Sequence, residues 1–520
     1  MRLVDYLDKG ASLGSEAPCL TTDGDTRTYA EVQADSHRIA DALTRHGVAS
    51  GQSVAILSAN DPTAFTSVFG ISRAGAVWCP INPRNEAAEN RELLDLFDCT
   101  ALLFQASFAP LVLSIIDDLP KVTLLVCLDG DVEGALSWEE FLDASVAPIE
   151  TRGPNPVAES GVADLAMIVG TGGTTGTPKG VMLTNANLET MTALTLMGYP
   201  FAGRPTYLAL APLTHAAGVL CFPVLALGGE IVIMRAPDVG GFLKLVERHR
   251  VTHTFLPPTL IYMVLGHEDL DATDLSSLQC FWYGAAPMSV ARLEEALNRI
   301  GPVMAQLFGQ TEAPMMISMM RPEDHLGPHG MPNRNRLASA GRPAPLVQVA
   351  ILDEEGHEQD GSQRGEICVR SSLVMAGYYK NPEATAEAGK HGWHHTGDIG
   401  FIDREGFLHI VDRAKDMIIS GGFNVYSTEV EQALLAHPDV QDAAVIGVPD
   451  EKWGEKVVAV VQPYAGGSAD AEAVRLFVRE RIGGVKAPKE VLVWGDLPRS
   501  KVGKVLKTEI RTSVLSGGDQ

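Results

Sequence analysis

The sequence predicts an α/β protein with a large N-terminal domain and a small α+β domain at its C-terminal end. Three observations carry that expectation. At 520 residues the chain exceeds what one hydrophobic core supports. Its first half alternates helical patterns with short apolar runs, as an α/β sheet requires. Near residue 400 a charged and then glycine-rich crossing leads into a compact βαβ-like unit of about a hundred residues, which is domain-sized.

Residues 29–46 place Tyr29, Val32, Ile39 and Leu43 near helical spacing, and Gly47 closes the segment as a C-cap. Apolar runs at 53–57, 76–79, 101–104, 123–127 and 231–234 read as strands. Residues 151–161 form a Pro/Gly-rich linker toward another buried strand, 165–169. Residues 365–370 and 407–411 read as short strands at exposed edges. Asp412-Arg-Ala-Lys-Asp416 and Ser420-Gly-Gly-Phe423 make the crossing. Beyond it, 429–437 and 471–482 read as helices, and 443–446 and 457–461 as strands. The expected division is therefore 1–411, a hinge at 412–415, and a mobile domain at 416–520.

Charge and cysteine usage exclude several functions. A formal net charge of −24 argues against a nucleic-acid surface or an anionic membrane face. Seven cysteines lie scattered, without a Cys-x-x-Cys pair, which fits neither a zinc site nor a disulfide framework. They are expected to be reduced core residues. The N-terminus lacks a signal-peptide pattern, and no apolar run is long enough to span a bilayer. The expectation is a soluble, cytoplasmic protein without a membrane span.

The chemistry begins at Thr171-Gly-Gly-Thr-Thr-Gly-Thr-Pro-Lys-Gly180, which follows the 165–169 run. Its glycines let successive backbone N–H groups turn toward one centre, its threonines add hydroxyl donors and Lys179 adds a cation. Such a loop is built for polyphosphate, although Pro178 and Gly180 around the lysine depart from the usual P-loop. Thr184 or Asn185 caps a following helix. Four further segments are Gly284-Ala-Ala-Pro-Met-Ser289, Gln306-Leu-Phe-Gly-Gln-Thr-Glu312, His395-Thr-Gly-Asp398 and Pro498-Arg-Ser-Lys-Val-Gly-Lys504. Taken singly, each also reads blandly: Glu312 as a solvated acid, Asp398 as a turn cap, and Lys504 with Lys501, Lys507 and Arg511 as one solvated basic face.

In this order and spacing the five motifs resemble the adenylate-forming enzymes: acyl-CoA synthetases, firefly luciferase and peptide-synthetase adenylation domains. The resemblance runs from residue 28 to Lys504 and is greatest to the acyl-CoA synthetases. It implies stacked α/β sheets with a β-barrel-like subdomain in the large domain. It also implies ATP, Mg²⁺ and coenzyme A as cofactors. A carboxylate joins the α-phosphate of ATP, pyrophosphate leaves, and a thiol then displaces AMP from the acyl-adenylate.

The resemblance further implies roles for single residues. Thr171, Gly172, Gly173, Thr174, Thr175, Gly176, Thr177 and Lys179 hold the β- and γ-phosphates. Gly284, Ala285, Ala286 and Pro287 lie on one face of the adenine and Phe308 on the other, with Gly309 and Gln310 adjoining. Asp398 and Arg413 take the ribose hydroxyls. Glu312 binds Mg²⁺ beside Thr311, and Lys504 bridges the carboxylate and the α-phosphate. Lys415 is the hinge about which the C-terminal domain turns between half-reactions, bringing Gly421, Gly422 and Phe423 toward the pantetheine channel. His215 adjoins the substrate carboxylate or gates the pocket; its plain alternative is a hydrogen-bonded core histidine. Two departures stand out: Gly172 replaces a serine, and Ser427 stands where many relatives have proline, which is expected to loosen that segment.

Candidate pocket walls Val219, Cys221, Ala285, Ala286, Met315 and Met316 are apolar, with no Lys or Arg for a second carboxylate and no acid near His215 for an ammonium. The expected function is an ATP-dependent carboxylate–CoA ligase acting on an apolar monocarboxylic acid, whether fatty, alicyclic or aromatic. The alternatives are an acyl-AMP ligase loading a carrier-protein pantetheine, and a catalytically silent nucleotide-binding regulator. A homodimer stays open.

Overall fold

The computed structural model describes residues 1–22, 24–145, 165–171, 178–213, 216–360, 363–413, 416–450, 452–464, 466–499 and 505–516. The 151–161 linker lies outside them. Among the described residues there are four sheets. Two large sheets build the N-terminal part, with an α/β class as expected.

The eight-stranded sheet centres on Ser53–Leu57, paired in parallel with Val77–Ile81 and Cys99–Phe104. All five residues of Ser53–Leu57 are buried, the pattern of a parallel strand covered on both faces. In the nine-stranded sheet, parallel strands including Thr206–Ala209, His253–Leu256, Cys280–Tyr283 and Met304–Gln310 give way at one end to antiparallel Ala313–Met320. Helices Leu3–Leu13, Tyr29–Arg45, Pro62–Arg73 and Asn185–Gly198 contribute to the core shared by the two sheets, with Trp78 from one and Trp282 from the other.

The local signals behave as their chemistry demands. Thr28 caps Tyr29–Arg45 in a reciprocal capping box with Glu31, and Gly47 takes φ 84° just past its end. Thr184, not Asn185, caps Asn185–Gly198. All seven cysteines are buried, and none is joined in a disulfide. No helix among the described residues is long and apolar enough to cross a membrane.

A four-stranded antiparallel sheet of Gln348–Leu352, Gly365–Arg370, His394–Ile402 and Leu408–Arg413 forms the third layer. Here one expectation is corrected: Gly365–Arg370 is an interior strand, flanked on both sides. Its short length and polar ends mimic an edge, while Ile367, Cys368 and Val369 are buried.

The smaller C-terminal domain is built on Val440–Asp450 and Gly454–Pro463, an antiparallel pair. The βαβ pattern is realised by Gly454–Pro463, helix Ala471–Lys486 and Glu490–Val493, which pairs in parallel with the first strand.

Candidate active site

The strands on either side of the glycine-rich motif form a hairpin, where the sequence suggested a strand and then a helix. Leu165–Thr171 pairs antiparallel with Lys179–Thr184, and Thr171 sits opposite Lys179. Gly170 and Gly180 face each other at its base. A Cβ on Gly170 would lie 2.9 Å from Leu93, and one on Gly180 2.7 Å from the Phe97 ring. These glycines therefore allow helix Ala87–Leu96 and Phe97 to press against the loop's root. Residues 172–177, His215, Lys415 and Lys504, expected from the sequence to serve the site, lie outside the described residues.

Lys179 is exposed, and its Nζ stands 4.8 Å from the centroid of the Tyr378 ring. The Tyr378 hydroxyl donates to Glu312 Oε1 at 2.7 Å. Burial, then the Glu312 charge, pushes the Tyr378 phenol well above its ordinary range, so it stays a donor. Tyr378 occupies this position because Gly377–Tyr378 adds to the hairpin edge, with Tyr378 opposite Val181. Glu312 lies in the tight connection between Met304–Gln310 and Ala313–Met320, where its carbonyl accepts from the Met375 N–H at 2.7 Å. Thus the two large sheets meet at the Lys179, Tyr378 and Glu312 side chains. Thr311 is half-buried beside Glu312.

The turn expected from the sequence to face adenine begins at Gly284, where a Cβ would stand 2.4 Å from the Leu307 carbonyl oxygen. Glycine is thus required for this turn to approach the strand bearing Phe308. Ala285 has φ 66°, and it and Pro287 are exposed, with Ala286 half-buried. Phe308 is half-buried and leans on Ile351, Ile367 and Leu408 of the four-stranded sheet. A Cβ on Gly309 would lie 2.4 Å from the Met315 nitrogen, and Met315 itself has φ 64°. The turn is therefore tightly wound around Glu312. Gln310 Nε2 lies 3.1 Å from His394 Nε2, linking this turn to the strand that carries Asp398.

Asp398 is 5% exposed and sits directly across from Arg413. Arg413 Nε lies 3.2 Å from Asp398 Oδ1, so the two expected ribose contacts touch each other. The bend before Asp398 is held by Gly397, φ 74°, whose N–H donates to Glu366 Oε1 at 2.8 Å. Glu366 Oε2 also lies 2.7 Å from His395 Nδ1.

Gly421 and Gly422 have φ 60° and 80° and form the two-residue turn between Ile418–Ser420 and Phe423–Val425. Positive φ at both positions suits the twist of a tight hairpin. The Gly421 N–H donates to the Trp453 carbonyl at 2.7 Å, and Phe423 is 60% exposed. This turn faces solvent and does not reach the residues above.

Sequence reasoning missed Tyr378, His394 and Glu366. Only the aromatic doublet at 378–379 hinted at the first, since its partners are distant in the chain.

Residues 7–379 match the AMP-binding enzyme family, and residues 429–504 match the AMP-binding enzyme C-terminal domain. A medium/long-chain-fatty-acid–CoA ligase of Mycobacterium tuberculosis is 35% identical over 510 residues, covering 95% of this chain and 87% of that protein. A feruloyl-CoA synthase of an Amycolatopsis species is 35% identical over 504 residues, covering 96% of each. The amide bond synthetase McbA of Marinactinospora thermotolerans has TM-score 0.87 and 31% identity, covering 98% of this chain and 99% of that one. With a hairpin around the glycine-rich motif, an acid-bearing turn and an Asp–Arg pair inside this full-length likeness, the chain belongs to the AMP-binding, adenylate-forming enzymes, close to the acyl-CoA synthetases.

Proposed function

We propose that this protein is an ATP-dependent carboxylate–CoA ligase acting on an apolar monocarboxylic acid. The observation that carries the nucleotide reading is the contact line from Lys179 through Tyr378 to Glu312. It sets a cation and an acid at the mouth of one glycine-rich hairpin. The choice of coenzyme A as acceptor is supported by the two CoA ligases that match nearly the whole chain.

In the first half-reaction a carboxylate oxygen attacks the α-phosphorus of ATP, and pyrophosphate departs with the electron pair of the broken P–O bond. Two anions must approach, so the chain's task is to offset charge. Lys179 and the loop donors hold the terminal phosphates. Asp398 and Arg413 fix the ribose, and Phe308 offers a stacking face to the adenine. His215 positions the acid, and Lys504, a compact charge, bridges the two reacting oxyanions. In the second half-reaction the thiol sulfur attacks the acyl carbonyl, and AMP leaves with the mixed-anhydride oxygen.

The donor set fits Mg²⁺. Glu312 is half-buried, and a carboxylate has lone pairs enough for the Tyr378 hydroxyl and for an oxygen-preferring cation. Such a cation would neutralise charge on the phosphate oxygens, and Tyr378 would hold Glu312 in the orientation that receives it.

An apolar acid is supported by the candidate walls: Val219, Cys221 and Met316 are buried, and none of the wall residues is charged. Buried thiols suit a reducing cytoplasm, and a homodimer is the assembly to examine by light scattering. The deciding experiment is mass spectrometry of products from a panel of carboxylic acids with ATP, Mg²⁺ and free CoA. Acyl-CoA and AMP are expected, with apolar monoacids ranked first. Acyl-adenylate accumulating without thioester would replace CoA by a carrier protein, and no acid-dependent AMP at all would leave only a nucleotide binder.

A further inference from the structure

Asp412 is buried near the end of Leu408–Arg413, as the first residue of the expected hinge at 412–415. Its carboxylate accepts from the Ser427 N–H, from the Ser427 hydroxyl at 3.0 Å and from the Arg413 N–H at 2.8 Å. Lys507 Nζ donates to Ser427 Oγ at 2.6 Å and pairs with Glu431 Oε1 at 2.7 Å. Glu431 in turn accepts from the Val445 N–H at 2.8 Å. A continuous polar chain therefore runs from the hinge, through the first turn of helix Ser427–Leu435, to the first residue of helix Lys507–Leu515. Lys507 is three residues beyond Lys504 and is not part of a solvated basic face. Burial acts to lower its pKa, but the Glu431 and Asp412 charges outweigh this and raise it, so it stays cationic.

Ser427 was expected to loosen this region, and the contacts reverse that expectation. A proline has neither the N–H nor the hydroxyl that Asp412 and Lys507 use. Meanwhile the C-terminal domain meets the large domain next to the adenine turn. Across that boundary Arg292 lies 5.3 Å from the Tyr464 ring; within the C-terminal domain Arg499, just before residues 500–504, pairs with Asp442 at 2.6 Å. Tyr262 accepts from the Ser289 N–H at 2.8 Å; burial pushes its phenol up to about 12, with the Asp442 charge adding to the effect. The Gly421–Gly422 turn, by contrast, points to solvent.

We propose that Asp412, Ser427, Lys507 and Glu431 form a latch across the hinge that holds the C-terminal domain in the adenylate-forming pose. Ser427 and Lys507 are then positioning residues: they touch no reacting atom and act through the placement of the segment that carries Lys504. Turning the domain about residue 415 would part Asp412 from Ser427 and Lys507, so the latch must open before thioester formation. The assignment of half-reactions rests on the proposed ligase function.

The test uses the full-length enzyme and Ser427→Pro, since proline is tolerated in a helix's first turn and removes both contacts to Asp412. Acid-dependent pyrophosphate release and thioester formation from supplied acyl-adenylate are measured separately. The expected result is a shift of about tenfold or more in the ratio of the two rates, against adenylation. Lys507→Met should shift the ratio the same way and Lys507→Arg should restore it. A parallel loss of both rates, or no change in either, overturns the latch. A second measurement is independent of activity: spin labels on Met263→Cys and Leu515→Cys, both exposed sites, report the interdomain distance. Broadening of that distribution by Ser427→Pro is expected, and an unchanged distribution overturns the latch even if no substrate acid is ever turned over.

Discussion

The Tyr378 hydroxyl meets Glu312 Oε1 at 2.7 Å while Lys179 stands over the same ring, so one side chain joins the hairpin of Leu165–Thr171 and Lys179–Thr184 to the acid-bearing turn. Hydrogen bonds to charged groups contribute about 1.5–3 kcal/mol. Tyr378→Phe keeps the ring for Lys179 and removes only the donor to Glu312. The half-saturating Mg²⁺ concentration is expected to rise about tenfold, with the fold intact by circular dichroism. An unchanged Mg²⁺ titration would remove Tyr378 from the cation site.

The Asp398–Arg413 pair, at 3.2 Å, spans adjacent strands and is expected to grip the ribose. Arg413→Met should raise the KM for ATP about tenfold and alter kcat little, because the ribose contact is alike in ground and transition states. Wild-type enzyme should also discriminate against 2′-deoxy-ATP, and the variant should discriminate less. Equal discrimination by both would place the ribose elsewhere.

Asp98 anchors the segment that follows Tyr378: Tyr379 donates to it at 2.7 Å, and Lys380 and Lys121 pair with it at 2.5 and 2.9 Å. Burial alone would raise its pKa, but the Lys380, Lys121 and Tyr379 hydrogen bonds outweigh that and lower it. A depressed folded-state pKa contributes stability that is present above the unfolded value, about 3.9, and is lost as pH falls through the folded value. Solvent screening at this half-buried site limits the contribution to about 1 kcal/mol. Asp98→Asn should therefore lower the urea midpoint at pH 7, and the gap from wild type should close below about pH 4.

Lys504→Ala is expected to abolish adenylate formation and spare thioesterification of a supplied acyl-adenylate. Stopped-flow measurement of each half-reaction separates the two. Equal loss of both would contradict a lysine that serves only the first pose.

The apolar run 53–57 became the strand Ser53–Leu57 without adjustment, because five consecutive buried residues carry their own signal. Helix Tyr29–Arg45 was equally legible, with periodicity and a terminal glycine in agreement. The glycine-rich motif stood out in the sequence, yet the strand Lys179–Thr184 after it went unread. Antiparallel pairing with Leu165–Thr171 makes that strand, and pairing leaves no local mark.

The same limit explains Tyr378, on a two-residue strand held against residues nearly two hundred positions earlier. It explains Ser427 as well, a residue that looked like a weak point until Asp412 and Lys507 were seen on either side of it. Residue types, spacings and apolar periods are local, so they were enough to indicate an α/β class and the motifs whose family resemblance implied the reaction chemistry. Which donors meet which acceptors across distant segments depends on sheet register and packing, which exist only once the chain has folded.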